Sequence, residues 1–274
     1  MKKVFKRALL VFFIICAVTV IWQVSLKPSN DRDWPEHLAV LPYAEFQGDL
    51  VTVHNIRNFT HISATEYSAG YYDKTFDLNT LDKVYYIVEP YSKFRGAAHT
   101  FVSFQFNKDD FIAITVEARG AKNEKYDPFI GLFKQYELMY VVGDERDVIK
   151  QRTNIQKNNV YVYPVRTTTQ KARILFVDML QRANQLKDKP AFYNTISDSC
   201  TTSIVKHVNK ITPKKIPFSY KYLLPGYSDE LAYAIGLLDT DLPLADAREK
   251  FLVTERAQQF GDDPDFSLKI RGID

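Results

Sequence analysis

Apolar positions run almost unbroken only once in this chain. Across residues 8–26 only Thr19, Gln23 and Ser25 interrupt the hydrophobic stretch. A helix of that length reaches about 28 Å, against roughly 30 Å for the hydrocarbon core of a bilayer. The pattern therefore predicts a transmembrane helix. Beyond it hydrophobicity becomes periodic. Residues 49–58 and 71–89 alternate loosely and carry β-branched and aromatic side chains, as strands do. Two clearer runs, 98–106 and 111–119, flank the polar stretch 107–110 and predict a β-hairpin. Residues 129–140 are expected to begin as a helix and end as a strand, and 160–165 to form a short strand. At 167–185, Ala172, Leu175, Phe176, Met179 and Leu180 recur at helical spacing behind a cap at Thr168 or Thr169, with Pro190 beyond the end. A second helix is predicted over 200–209, capped by Asp198 or Ser199. Pro213, Pro217 and Pro225-Gly226 then break the chain. A short helix at 230–238 and a more polar one at 244–260 follow, and the last fifteen residues are expected to wrap the surface.

These elements predict an α+β fold, an antiparallel sheet packed against helices, behind the N-terminal transmembrane helix. The division is residues 1–26 as anchor, 27–36 as a linker with Pro28 and Pro35, and 37–274 as one domain, since no repeat or second linker interrupts it. Lys2, Lys3, Lys6 and Arg7 precede the apolar run and place the N-terminus in the cytoplasm, so the domain is exported. A cleaved signal peptide fits less well. Its apolar region is about 7–15 residues and ends in small residues, whereas this run continues through Val20, Ile21 and Trp22. Bulky Phe13-Ile14-Ile15 ahead of Cys16 also argues against a lipoprotein signal.

Charge changes the picture once the anchor is set aside. Without the four early cations the basic residues, 36 in the whole chain, fall one short of the 33 acidic ones. A near-neutral exported domain has no field with which to hold nucleic acid. Ten glycines form neither GxGxxG nor GxxxxGK, and no metal-ligand spacing occurs, so no cofactor and no metal are expected.

Cysteine use points toward chemistry. Cys16 lies in the anchor, leaving Cys200 alone in an exported domain where paired cysteines are the norm. A solitary thiol there is inert and buried, crosslinked between chains, or reactive. Cys200 is predicted in the first turn of a helix, where unpaired N–H groups and the helix dipole stabilise a thiolate. Of the five histidines, His99 projects from the rigid hairpin strand and is the candidate base. His207 follows Cys200 by seven residues, about two turns or roughly 10 Å, too far to activate it. His37 and His61 are expected at the surface. His54, with Asn55 beside it, is expected to line the cleft. If the hairpin pairs Phe104 with Ile112 and Val102 with Ile114, Glu117 falls opposite His99 and can orient the imidazole. A one-residue slip turns Glu117 to the other face. The backbone N–H groups of Cys200 and Thr201, beside Ser199, are expected to hold an oxyanion.

The stretches VHNIRNF, AHTFVSF, ITVEARG, FKQYELMYVVGDERDVI, YNTISDSCTTSI and LLPGYSDELAYAIGLLD resemble the Lnb N-terminal periplasmic domain family, over nearly all of 35–270. That family in turn is similar to circularly permuted NlpC/P60 (papain-like) thiol enzymes, in which a strand histidine precedes a cysteine at a helix start. The resemblance implies a periplasmic thiol acyltransferase or hydrolase at the inner membrane, with a membrane lipid or lipoprotein as substrate and a thioester as intermediate. Where the family commonly places Asn before the cysteine, this chain has Ser199. No further membrane-spanning part follows the domain, which leads one to expect a stand-alone hydrolase or a partnership with a second membrane protein. A cell-wall peptidase and a non-catalytic envelope binding module are the alternatives.

Overall fold

The computed structural model describes residues 2–273. Helix α1 (Lys2–Ser25) is the one described helix long and apolar enough to cross a membrane. After the single-turn α2 (Glu36–Ala39), a sheet is assembled from β1 (Tyr43–Gln47), β2 (Leu50–Arg57), β5 (Tyr71–Asp77), β6 (Leu81–Pro90), β7 (Ala98–Phe106), β8 (Asp110–Arg119), β9 (Glu137–Gly143) and β10 (Tyr161–Pro164). Between β2 and β5 lies a small hairpin of β3 (Thr60–His61) and β4 (Tyr67–Ser68). The main path runs β1-β2-β9-β8-β7-β6-β10, with β5 also paired to β2. Every pairing in it is antiparallel except β2 with β9, which meet in parallel at Arg57 and Gly143. The fold is mixed α+β.

Strand alternation sorts side chains to two faces. Val102, Phe104 and Phe106 of β7 and Ile112, Ile114 and Val116 of β8 point toward α4 (Thr169–Asp188) and α5 (Cys200–Ile211). Phe176 of α4 sits at the centre, its ring neighbours being Phe76, Phe104 and Phe106, at 5.9, 5.0 and 5.2 Å between centroids. The opposite residues, Phe101, Phe111 and Ala113, pack under α3 (Glu145–Lys150) and the C-terminal helices. Helices α6 (Tyr220–Leu223), α7 (Ser228–Ala234) and α8 (Leu244–Phe251) close one end of the first layer, Phe251 packing on Tyr163; α9 (Thr254–Gln259) and α10 (Phe266–Lys269) complete the second.

The hairpin, α4 and α5 fall where periodicity places them. Thr168 caps α4 by accepting from Lys171 N, and Ser199 caps α5 in a reciprocal capping box with Thr202. Other expectations are corrected. Residues 71–89 form two strands split by a 3-10 turn at Leu78–Thr80. The helix expected to open 129–140 is a single 3-10 turn at Ile130–Leu132. The stretch 244–260 breaks at Leu252-Val253 because Val253 turns inward, fully buried, and its N–H donates to Val160 O. The C-terminal segment does not simply wrap the surface: Phe266 and Ile270 are fully buried plugs of the second layer. The expected linker 27–36 is docked on the domain. Asn30 donates to the Leu186 and Lys187 carbonyls, Arg32 pairs with Glu124 and Glu137, and Trp34 lies buried beneath Arg119.

Candidate active site

Helix α5 begins at a cleft. The capping box fixes its first turn, and a buried contact between the hydroxyls of Thr100 and Thr201, 2.8 Å apart, pins that turn to β7. Cys200 is held at the start of the helix with little freedom. The β7–β8 ladder ends at Phe101 opposite Thr115. Continuing the same register places His99 opposite Glu117, and the two side chains do meet, with His99 Nε2 3.2 Å from Glu117 Oε1. Glu89 of β6 pairs with His99 from the other side. Three neighbouring strands thus present Glu89, His99 and Glu117 in one row on the face opposite α5. Cys200, His99 and Glu117 line one cleft of about 670 Å³ at the end of the sheet.

A hydroxyl settles the histidine tautomer. Thr115 Oγ1 lies 2.9 Å from Glu117 Oε1 and must donate to it, because a carboxylate only accepts. The same oxygen is 2.6 Å from His99 Nε2. Its own proton being committed, it accepts from Nε2–H. The Nε2 proton is therefore committed to Thr115 whether the ring is neutral or charged, and Nδ1 is the nitrogen free to gain or lose a proton.

Electrostatics favour a charged pair. Burial pushes the His99 imidazole down, but the Glu117 carboxylate and the Cys200 thiolate outweigh it and raise it to about 10. Burial pushes the Cys200 thiol up, yet hydrogen bonding and charge from His99, with help from the Thr100 backbone and hydroxyl, bring it down to about 7. Glu117 is held down at about 2, burial being outweighed by His99, Arg152 and Thr115. These opposite shifts favour a thiolate–imidazolium pair at neutral pH. At the far end of the row, Arg152 donates to Glu89 at 2.6 Å, approaches Glu117 to 3.6 Å and stacks on Phe101.

The other expected residues are dispersed. Ser199 lines the cleft as the helix cap, and the Thr201 hydroxyl lies 2.8 Å from that of Thr100 and 3.8 Å from the Cys200 sulfur. His54 and Asn55 do not reach the cleft. They sit on β2, separated from β7 by β9 and β8, where His54 stacks on Tyr43 and bonds Asp73, and Asn55 adopts a left-handed bulge conformation. Alternation with Val53 exposed only one face of β2, not its place in the sheet. His61 is not a surface residue: its ring bonds Asp147 at 2.8 Å and is nearly buried. His207 is packed between Tyr140 and Asp178, as a structural helix histidine. Sequence reading missed Thr115, Glu89 and Arg152. Thr115 was legible in principle, two residues before Glu117 on the same strand face. Arg152 gave no periodic signal, because it lies on a π-helical turn at Gln151–Ile155.

Among the described residues no group of three or more His, Cys, Asp or Glu side chains is arranged to hold a metal ion. No curated protein and no solved structure matches the chain significantly. The family model of the Lnb N-terminal periplasmic domain matches residues 67–226, a narrower span than 35–270 but one that contains His99, Thr115, Glu117 and Cys200. With more than half its length matched, the chain belongs to the Lnb N-terminal periplasmic domain family.

Proposed function

We propose that this is a membrane-tethered periplasmic thiol acyltransferase or hydrolase, working through Cys200, His99 and Glu117 on acyl bonds of envelope lipids or lipoproteins. The observation that carries the reading is the thiol at a helix start, coupled to an imidazole whose tautomer is set by Thr115 and Glu117. The chain order His99, Glu117, Cys200, with the cysteine helix packed on an antiparallel sheet, supports a permuted papain-like architecture as part of the same proposal. Cleft walls of Tyr91, Phe94, Tyr193, Leu223 and Leu224 suit an acyl chain better than a polar peptide.

In the first half-reaction the thiolate attacks the ester carbonyl and forms an S–C bond. The N–H groups of Cys200 and Thr201 hold the oxyanion. The C–O bond then breaks, and the departing alkoxide takes the proton from the His99 imidazolium, leaving an acyl thioester and an alcohol. In the second, His99 removes a proton from an amine or water as it attacks the thioester. The C–S bond breaks, the thiolate returns, and the imidazolium is restored. Arg152, held by Glu89 at 2.6 Å and 3.6 Å from Glu117, acts as a positioning residue for that carboxylate.

The experiment is to incubate the full chain in vesicles with diacyl lipid and a lipoprotein-like amine, and weigh the protein by mass spectrometry. An acyl adduct on Cys200, absent in Cys200→Ala, is expected, with turnover in that variant reduced by roughly 10³-fold or more. Full activity in Cys200→Ala sinks the mechanism. Cleavage of muropeptides with no acyl adduct would replace it with the peptidase reading.

A further inference from the structure

A second feature lies beside the cleft mouth and plays no part in the chemistry above. The segment joining β8 to β9 shows Phe129, Ile130 and Phe133 to solvent at 68, 42 and 44% exposure, with Ile196 at 56% next to them. Single exposed apolar residues are ordinary, but a contiguous group marks an interaction surface. This group is displayed on a stiff support. Asp127 Oδ1 accepts from the N–H groups of Phe129 and Ile130 at 2.8 and 3.0 Å, and Thr195 Oγ1 donates to Pro128 O at 2.6 Å. A side chain at Gly131 would come within 2.5 Å of Thr195 Oγ1, so the loop presses directly on 193–195. The Phe129 and Phe133 rings lie edge to face, 5.4 Å apart.

The neighbourhood identifies the occupant. Lys134, next to Phe133, donates to the Gln23 carbonyl at 2.8 Å. Gln23 lies in the last turn of α1, beside the exposed Trp22. Tryptophan at the end of a spanning helix marks the level of the lipid headgroups. The apolar loop is thus fastened to the anchor where the anchor leaves the hydrocarbon. We infer that the 126–134 loop, with Ile196, is an interfacial docking surface that seats in the headgroup region of the same bilayer that α1 spans. Pro128, Tyr126 and Thr195 also line the cleft that holds Cys200. Docking sets the cleft mouth at the lipid surface, so an acyl chain passes into it without crossing water. The inference rests on the tether and is independent of what the thiol does.

The test uses the full chain with Cys16→Ser and Cys200→Ser and one new cysteine, Ile130→Cys, Phe133→Cys or, at the far tip of the hairpin, Asp109→Cys. Each carries an environment-sensitive fluorophore and is reconstituted into phosphatidylcholine–phosphatidylglycerol vesicles containing lipid spin-labelled near the top of the acyl chain. Interfacial side chains insert about 5–10 Å into the headgroup boundary. Labels at 130 and 133 are therefore expected to be quenched several-fold more than the label at 109. In a Phe129→Ser/Phe133→Ser background, quenching of a label at Ile196→Cys is expected to fall to the level seen at 109. Equal quenching at all positions, no quenching at 130 and 133 in these vesicles, which hold no other protein, or unchanged quenching at 196 overturns the inference, the second outcome pointing to a protein partner. Release of the chain from the vesicles overturns it too, separately from any result on Cys200.

Discussion

At the scale of single residues, the site depends on where three protons sit. Glu117 holds His99 charged, and His99 holds Cys200 ionised. On the proposed mechanism the charged pair persists between about 7 and about 10. kcat/KM is expected to rise as the thiol ionises through the lower value and to fall as the imidazolium is lost through the upper one, the two limbs belonging to the coupled pair. In Glu117→Gln the nearest anion is gone, so His99 drops and the thiol rises; the window narrows from both sides. A loss of roughly 10²-fold or more in kcat/KM is expected. The rate of iodoacetamide alkylation against pH reads the thiolate directly, and an unshifted alkylation profile in Glu117→Gln would show that Glu117 does not support the pair. The contact of His99 with Glu117 was legible only as a conditional, because one residue of register decides whether they meet. The pairing of Phe104 with Ile112 and Val102 with Ile114 decides it in favour of contact.

At the scale of elements, caps and buried ion clusters hold the site in place. Ser199→Ala removes one half of the capping box of α5 and is expected to cost about 1 kcal/mol, read by chemical denaturation. Because that cap also aims the first turn, alkylation of Cys200 is expected to slow as well; a stability loss with unchanged alkylation would make Ser199 structural only. On the other side of the sheet, Asp147 of α3 binds Arg57 at 2.7 Å and His61 at 2.8 Å and accepts from Phe59 N, joining the small β3–β4 hairpin to the main sheet. Asp147→Ala leaves a buried cation without its partner and is expected to cost roughly 3–5 kcal/mol. Burial pushes the Asp147 carboxyl up, but His61 and Arg57 outweigh it, so it lies below its ordinary value of 3.8. A depressed carboxylate stabilises the fold above its ordinary value and loses that contribution as pH falls through the folded value. The gap in Tm between wild type and Asp147→Ala is therefore expected to hold steady near neutrality and to narrow below pH 3.8. A gap that does not vary with pH would assign the cost to packing alone.

At the scale of the whole molecule, the docked segment 27–36 joins the long apolar helix α1 to the sheet. Arg32 fastens the chain leaving α1 to Glu137 of β9 and Glu124 of the 120s loop, and Trp34 packs under Arg119 of β8, so this segment is docked on the domain rather than a free leash. Ile14→Arg places a charge mid-helix in α1, at a cost of about 3 kcal/mol for insertion. The variant is expected to shift from the alkaline-carbonate pellet toward the supernatant, and complete retention would argue that α1 is not what holds the chain in the membrane.

The sequence by itself determined the long apolar N-terminal helix, the hairpin, the two long helices and the solitary thiol at a helix start. Those features are local: each follows from hydrophobic spacing, a cap or a turn within about twenty residues of chain. Tertiary structure alone decided which polar groups share the cleft. It brought Arg152 and Glu89 beside Glu117, sent His54 and Asn55 to another strand, and buried His61. It also set Lys134 against Gln23. Such meetings depend on strand order and on packing between residues far apart in sequence, and no periodic pattern along the chain records them.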